Sequence, residues 1–437
     1  MMRKGIGLAL VLSSAMFVCA CSSNDDSSAP VEDGSDVDAG QAPDNDAGDA
    51  ANPSSCVDTS GIAPRLLLTG GSNDSELAVF NLQTMAVEGH FAFPGFGATS
   101  SASAPYLMEQ SADLVVQLDP NAPWNAMASW DVRSNDVING GQAYADPSGV
   151  FVPACTKGYV LRYNRNRVAI IDTTKSAEKG PPDSYIDLSS LVQPEDKDGV
   201  VEMTSAVFVP SQNRLYVLLG NIDLTKATPD GWYLFCGTSK ATIIAIDTTT
   251  DQIVSLNGAG PGGGIELSGY NPPINGNALV YDAAGNRLIA MHAGCNNGTG
   301  EDDPGTVQQR MIESVDLATG QTSTLLSLND RGFPMAFAYA DASHAAIGFY
   351  GQTFFWNPQS DTLGGEVPGG IDAFAFDGKD AFVGARKTYQ DDGFTPKSIE
   401  IVRAPVSDAN ALEKIGENPF TDNDGTYLSG AEVWPHQ

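Results

Sequence analysis

The chain is poor in basic side chains: 23 Lys and Arg stand against 54 Asp and Glu, a formal net charge of −31 over 437 residues. Attraction to phosphate backbones needs basic surface, so nucleic acid is excluded as a partner. Histidine is scarce as well; His90, His292, His344 and His436 are the whole set, they fall in different repeats, and they make no recognisable ligand group. No CxxC or Cys/His pair at metal-ligand spacing occurs, and Walker, dinucleotide-binding, GxSxG and HExxH patterns are absent, so no catalytic residue and no metal ligand is assigned. Helical spacing of apolar residues is also rare, while 46 Gly and 26 Pro punctuate the chain, which points to short strands and turns.

The one long apolar run lies at the start. Arg3 and Lys4 precede an apolar stretch from Gly5 to Val18, and Val18-Cys19-Ala20-Cys21 resembles a bacterial lipobox. The resemblance implies a signal peptide over residues 1–20, cleavage before Cys21 and lipidation of that cysteine, with Ser22 in second place fitting the outer membrane. Residues 22–55 carry nine acidic side chains, no Lys or Arg and almost nothing apolar. Such a segment cannot offset its chain entropy and reads as a self-repelling disordered tether within residues 21–55, reaching on the order of 100 Å when extended. The body, residues 56–437, would face the periplasm or the cell surface.

In the body a four-strand pattern repeats. Its clearest copy is SAVFVPSQNRLYVLLGN (205–221) followed, after an insert, by ATIIAIDTTTDQIVSL (241–256). A four-stranded antiparallel meander of this kind buries neither face alone and needs neighbours of its own kind. Other copies begin at RLLLTGG (65–71), APYLMEQ (104–110), VFVPACTKGYVLRYNRNRVAIID (150–172), NALVYDAAGNRLIAMHAG (277–294), AFAYADASHAAIGFYG (336–351) and IDAFAFDGKDAFVGARK (371–387). The third strand of each copy ends at Asn81, Asp131, Asp172, Asp247, Asp316, Asn357 or Arg403, mostly side chains that bond their own backbone two residues on. The first copy lacks its innermost strand, and TYLSGAEVW (426–434) remains unspent at the other end. These observations predict an all-β, seven-bladed β-propeller of four-stranded antiparallel blades, closed by the C-terminal strand in the first blade.

GYVLRYNRNRVAIID (158–172) and RLYVLLGN…ATIIAIDTTTDQIVSL resemble the repeat of YVTN/YncE-like seven-bladed propellers, and the third and fourth blades, with PEDKDGVVEM (194–203), resemble bacterial lipoproteins of that build. The resemblance implies the fold; members of such families are binding modules, lactonases and dehydrogenases alike, so function has to come from the site.

Loops joining strands two and three share one face with the blade-to-blade connections. On that face the long inserts are Asp119 to Asn125, Asn221 to Lys240, Ala293 to Gln309 and Lys387 to Pro396, which offer Trp124, Trp232, Tyr233, Asp302, Asp303 and Tyr389 for a ligand or partner. Cys236 and Cys295 lie in the inserts of adjacent copies and are expected to pair, leaving Cys56 for Cys155 by elimination. Asp196, Asp198 and Glu202, and Asp422 with Asp424, are fragments of a calcium-loop pattern without its full spacing; they read as surface turns, with calcium left open. His292 reads as a satisfied strand histidine rather than a channel ligand. The function expected is a membrane-anchored extracytoplasmic binding or scaffold propeller that takes a protein or small ligand on its insert-rich face. The alternative is a lactonase-like or other hydrolytic enzyme, which would need carboxylates or histidines converging near the ring axis.

Overall fold

Side chains alternate across a strand, so one strand can serve two neighbours at once. In strand Arg65–Gly71, Leu66 and Leu68 pack with Ala375, Val383 and Ile401, while Leu67 packs on the opposite side with Leu107, Val116 and Leu118. In Arg214–Leu219 the same division sends Leu215, Val217 and Leu219 toward Leu161 and Ile170, and Tyr216 and Leu218 toward Leu288 and Ala290. Repeated around the molecule, this gives seven apolar cores, each filling the space between one sheet and the next. A ring of seven sheets is the arrangement that covers every apolar face.

The computed structural model describes residue 59 and residues 61–435, apart from 72–74, 94–96, 102–103, 121–123, 134–143, 176–177, 229–232, 238, 274–276, 301–302, 350, 390–395 and 422–426. The signal segment, Cys21, the tether, Cys56, Trp232, Asp302, Asp422, Asp424 and His436 lie outside the described residues.

Seven blades of antiparallel strands follow in chain order. Blade 1 holds Arg65–Gly71, Ser75–Asn81 and Ala86–Phe93, with Tyr427–Trp434 as its innermost strand. The ends of the ring are thereby joined: Arg65 lies opposite Trp434, Leu66 opposite Val433 and Leu68 opposite Ala431. Blades 3 to 7 begin with inner strands Pro147–Ala154, Met203–Val209, Leu279–Asp282, Pro334–Asp341 and Ala373–Phe376. Blade 4 carries a further short strand, Ile265–Glu266, against Thr242–Asp247, and blade 5 a small hairpin, Cys295–Asn296 with Val307–Gln308, inside its insert.

Blade 2 departs from the expected alignment. Its inner strand is Gly97–Ser101, GATSS, ahead of Pro105–Glu109, Leu114–Leu118 and Ala126–Asp131. Asp131 therefore ends the fourth strand, not the third. The segment between Leu118 and Ala126 joins strands three and four, so it lies on the face opposite the other inserts. GATSS carries no apolar signal in the sequence; at its first position a Cβ would stand 2.4 Å from the Phe93 ring, which selects glycine there. The strand around Arg403 also continues to Pro405, placing Arg403 inside it.

We call the face with the inserts and the blade-to-blade connections the insert face, and the other, with hairpin turns such as 210–213 and 248–251, the turn face.

Candidate functional site

The insert face is held by two devices. Cys236 of the blade 4 insert and Cys295 of the blade 5 insert form a disulfide with Cα atoms 4.9 Å apart. Beside it the two inserts pair through backbone: Asn296 N donates to Leu234 O at 2.8 Å and Cys236 N to Asn296 O at 2.9 Å. Two long loops are thus one body. Cys155 is disulfide-bonded too; the expected partner, Cys56, lies outside the described residues.

The aromatics proposed for this face separate by position. Tyr389 ends a blade 7 strand and is 41% exposed on the insert face. Tyr233 is half-buried, with its N–H on Thr228 Oγ1 at 3.1 Å and its carbonyl accepting from Thr228 N at 2.9 Å, so its backbone folds the insert onto itself. Asp303 is exposed at the tip of the blade 5 insert, where its N–H reaches Gly300 O at 3.1 Å. Trp124 is elsewhere. It is fully buried at the turn-face end of the closing seam, edge-on to Trp434 with centroids 6.2 Å apart and Arg65 6.0 Å above its ring. It serves the core between blades 1 and 2 rather than a rim.

His292 is not on an inner strand. It ends the second strand of blade 5, is fully buried, and holds Nε2 3.1 Å from Glu313 Oε1. Gly269 presses against the ring so closely that a Cβ there would lie 2.1 Å from it. Burial alone would raise the Glu313 pKa, but bonds from His292 and from the N–H groups of Gly269 and Ser268 outweigh it and hold the group below the usual range. The Glu313 carboxylate is thus answered by its surroundings, while His292 Nδ1 is buried with no hydrogen-bond partner among the described residues.

Asp196, Asp198 and Glu202 require a larger correction, because they are not surface turns. They lie on the connection into the inner strand of blade 4, with Asp196 7% exposed and Glu202 fully buried. One carboxylate oxygen from each lies within 4.8 Å of the other two. The surroundings are built from three segments. Asn166 of blade 3 donates to Gly199 O at 2.8 Å and accepts from Val201 N at 3.0 Å. Glu202 Oε2 accepts from Ile222 N at 2.7 Å and Asp198 Oδ2 from Leu224 N at 2.8 Å, which ties the connection to the root of the blade 4 insert. Across this junction Gly220 N donates to Glu202 O at 2.7 Å and Asn221 N to Val201 O at 3.2 Å, and Glu202 and Asn221 are both left-handed, at φ +41° and +46°. For a glutamate that conformation costs roughly 1–2 kcal/mol.

No Lys or Arg forms an ion pair with these three groups among the described residues. Burial first, then the Asp198 charge, pushes Asp196 up to about 7 and Glu202 well above the carboxylate range; Asp198 is raised as well. Tyr270, buried alongside, has its hydroxyl pushed up to about 12 by burial and then by Asp223. Glu202 Oε1, Asp196 Oδ2 and Asn221 Oδ1 are buried with no hydrogen-bond partner. The carboxylates that the sequence offered only as a calcium-loop fragment therefore converge, at the root of a blade rather than among rim aromatics.

No protein-family model matches the chain, and no curated protein matches it. Solved structures of similar fold include a functionally unknown protein from Desulfotomaculum acetoxidans, 11% identical, covering 84% of this chain and 99% of that one at a TM-score of 0.50. A Kuenenia stuttgartiensis hydrazine synthase is 14% identical, with 78% and 92% covered at 0.49, and a luciferin-regenerating enzyme is 10% identical, with 83% and 99% covered at 0.43. At such identities the likeness concerns the propeller fold, which is shared by enzymes and by a protein of unknown function.

Proposed function

We propose that this chain is an extracytoplasmic binding propeller that presents its insert face to a protein or small ligand. In this reading it is a YVTN/YncE-like lipoprotein, carried on an outer-membrane lipid anchor at Cys21 and an acidic tether. The observation that supports it most is the fusion of the blade 4 and 5 inserts by the Cys236–Cys295 disulfide and a backbone pairing. Joining long loops costs nothing in the ring itself, yet it fixes a raised platform, and a fixed loop surface binds with less ordering cost than a mobile one. The exposed Tyr389 and Asp303 share that face.

A hydrolytic centre is the other reading, and Asp196, Asp198 and Glu202 are the groups it would use. Their burial argues against it, since Glu202 has no exposed surface through which a substrate could be met.

Cross-linking of the full-length chain in envelope extract from its own bacterium, followed by mass spectrometry, tests the binding reading. Intermolecular links should concentrate on the insert-face lysines Lys226, Lys240 and Lys397, and be sparse at Lys175 and Lys379 on the turn face. Links spread evenly over both faces would overturn it.

A further inference from the structure

Three carboxylates within 4.8 Å of one another, two of them nearly or fully buried, would repel strongly if all were charged. Proteins answer such a group by protonation, by a basic partner or by a metal ion. Among the described residues no basic partner is present: the nearby Lys197 turns away to Pro194 O at 3.1 Å, and the titratable groups that act on or feel the cluster from other elements are Asp223, Tyr163 and Tyr270. Backbone N–H groups bind one oxygen of Asp196, one of Glu202 and both of Asp198, and so orient them. What they leave open is the telling part. Glu202 Oε1 and Asp196 Oδ2 have no partner although both side chains are more than nine-tenths buried, and Asn221, also fully buried, keeps Oδ1 unpaired at the same junction. Unmade bonds to buried polar groups are costly, and ionised ones more so.

The geometry points to a site for one divalent cation, held by Asp196, Asp198 and Glu202, that locks the connection between blades 3 and 4 to the root of the blade 4 insert. The donors are all oxygen, with neither Cys nor His in the group, which selects a hard ion over zinc or copper. Three protein carboxylates converging on one point favour calcium over magnesium, which dehydrates reluctantly and is usually held through only one or two carboxylates. The Asx-type turn from Asp196 to Asp198 and Gly199, whose φ of +77° suits glycine, brings the first two carboxylates together, and the left-handed Glu202 supplies the third. The site goes beyond the partner reading and stands without it, since the ion would order the insert whether or not anything binds there.

The test uses the full-length chain stripped with EDTA and titrated with calcium alone. Thermal unfolding should shift upward by about 3 °C at a hundredfold excess over Kd, with Kd expected at about 0.1–1 mM as in extracellular calcium modules. Elemental analysis after equilibrium dialysis should give one calcium per chain. Glu202→Gln and Asp196→Asn should each weaken the shift at least about tenfold in calcium concentration while leaving the circular dichroism unchanged. Terbium bound to the unaltered chain, excited through tyrosine and displaced by calcium, reads the site without relying on a variant. An absent shift with no terbium signal would overturn the proposal, as would a shift that survives both substitutions and so belongs to the acidic surface at large. An equal response to magnesium would overturn the assignment to calcium.

Discussion

The two faces of the ring use the same residue types to opposite ends. On the turn face, acids close hairpins and are satisfied: Asp247 accepts from Thr249 N at 2.9 Å, Asp316 from Ala318 N and Thr319 N at 2.9 and 2.8 Å, and Asp282 from Ala284 N and Arg287 Nε at 3.1 and 2.9 Å. Their pKa values are all held below the usual range, as are those of Asp172 and Asp341. On the insert face burial dominates, and Glu109, Asp146, Asp196, Asp198, Glu202 and Asp372 are all raised. Glu313, Asp187 and Glu400 are instructive exceptions there: Glu313 and Glu400 are lowered against their burial because His292 with two backbone N–H groups, and Arg386, meet them, and Asp187 because Ser189 bonds it. Charge that is answered by the fold is structural. Charge that is left unanswered in a buried place is available to something else.

That comparison presupposes one rigid ring, and the largest expected effect comes from opening it. Removing residues 426–437 deletes the strand that pairs with Arg65–Gly71 and takes Val433 and Trp434 from two inter-blade cores. Both faces should then fail together in one cooperative loss of soluble, native protein, seen by circular dichroism and limited proteolysis. A shortened chain that keeps a sharp unfolding transition would show that the faces are supported blade by blade.

The next effect should fall on one face only. The Cys236–Cys295 bridge spans 59 residues of sequence, and a bridge of that span stabilises by about 2–4 kcal/mol in typical cases. Replacing both cysteines by alanine should raise amide exchange in the blade 4 and 5 inserts and leave the turns at Asp247 and Asp316 as protected as before. Equal loosening of both faces would mean that the inserts brace the whole ring.

The difference between the faces also explains what could be read from sequence. Blades declared themselves because their middle strands carry runs of large apolar side chains, as in Leu215 to Leu219, and because turn acids sit two residues from the N–H they bind. Ring closure followed from one missing strand and one unspent one. GATSS was not legible, since its small and polar residues look like a loop, and crowding against Phe93 selects the glycine that opens it. Trp124 looked like a rim aromatic only because that strand went uncounted and the loop was placed on the wrong face. The carboxylates at 196–202 were visible together as a fragment of a calcium-loop pattern, but they read as a surface turn. Their burial is supplied by Asn166, Ile222 and Leu224, which lie far away in the chain.

The sharpest test sets Asp282 against Glu202, two acids of opposite faces that are 2% and 0% exposed. Asp282 is held low by Arg287 and by backbone N–H groups that together overcome its burial. It therefore stabilises the fold above its unfolded pKa and loses that contribution as pH falls. Glu202 is raised, and Asp196 with it to about 7, so their contribution is complete below a pH of about 4 and is lost as pH climbs through the folded values. Asp282→Asn should cost about 1–3 kcal/mol at neutral pH because an Arg287 bond is spoiled in a buried place. Glu202→Gln keeps an acceptor for Ile222 N and removes the buried charge, so in EDTA at pH 8 it should leave the unfolding midpoint unchanged or raise it. The unaltered protein in EDTA should lose stability from pH 5 to pH 8, the Glu202→Gln variant should lose less, and added calcium should reverse the order of the two at pH 8. A Glu202→Gln variant that is destabilised in EDTA as much as Asp282→Asn would show that Glu202 is as fully answered by the fold as the turn-face acids are, and the distinction between the two faces would fall with it.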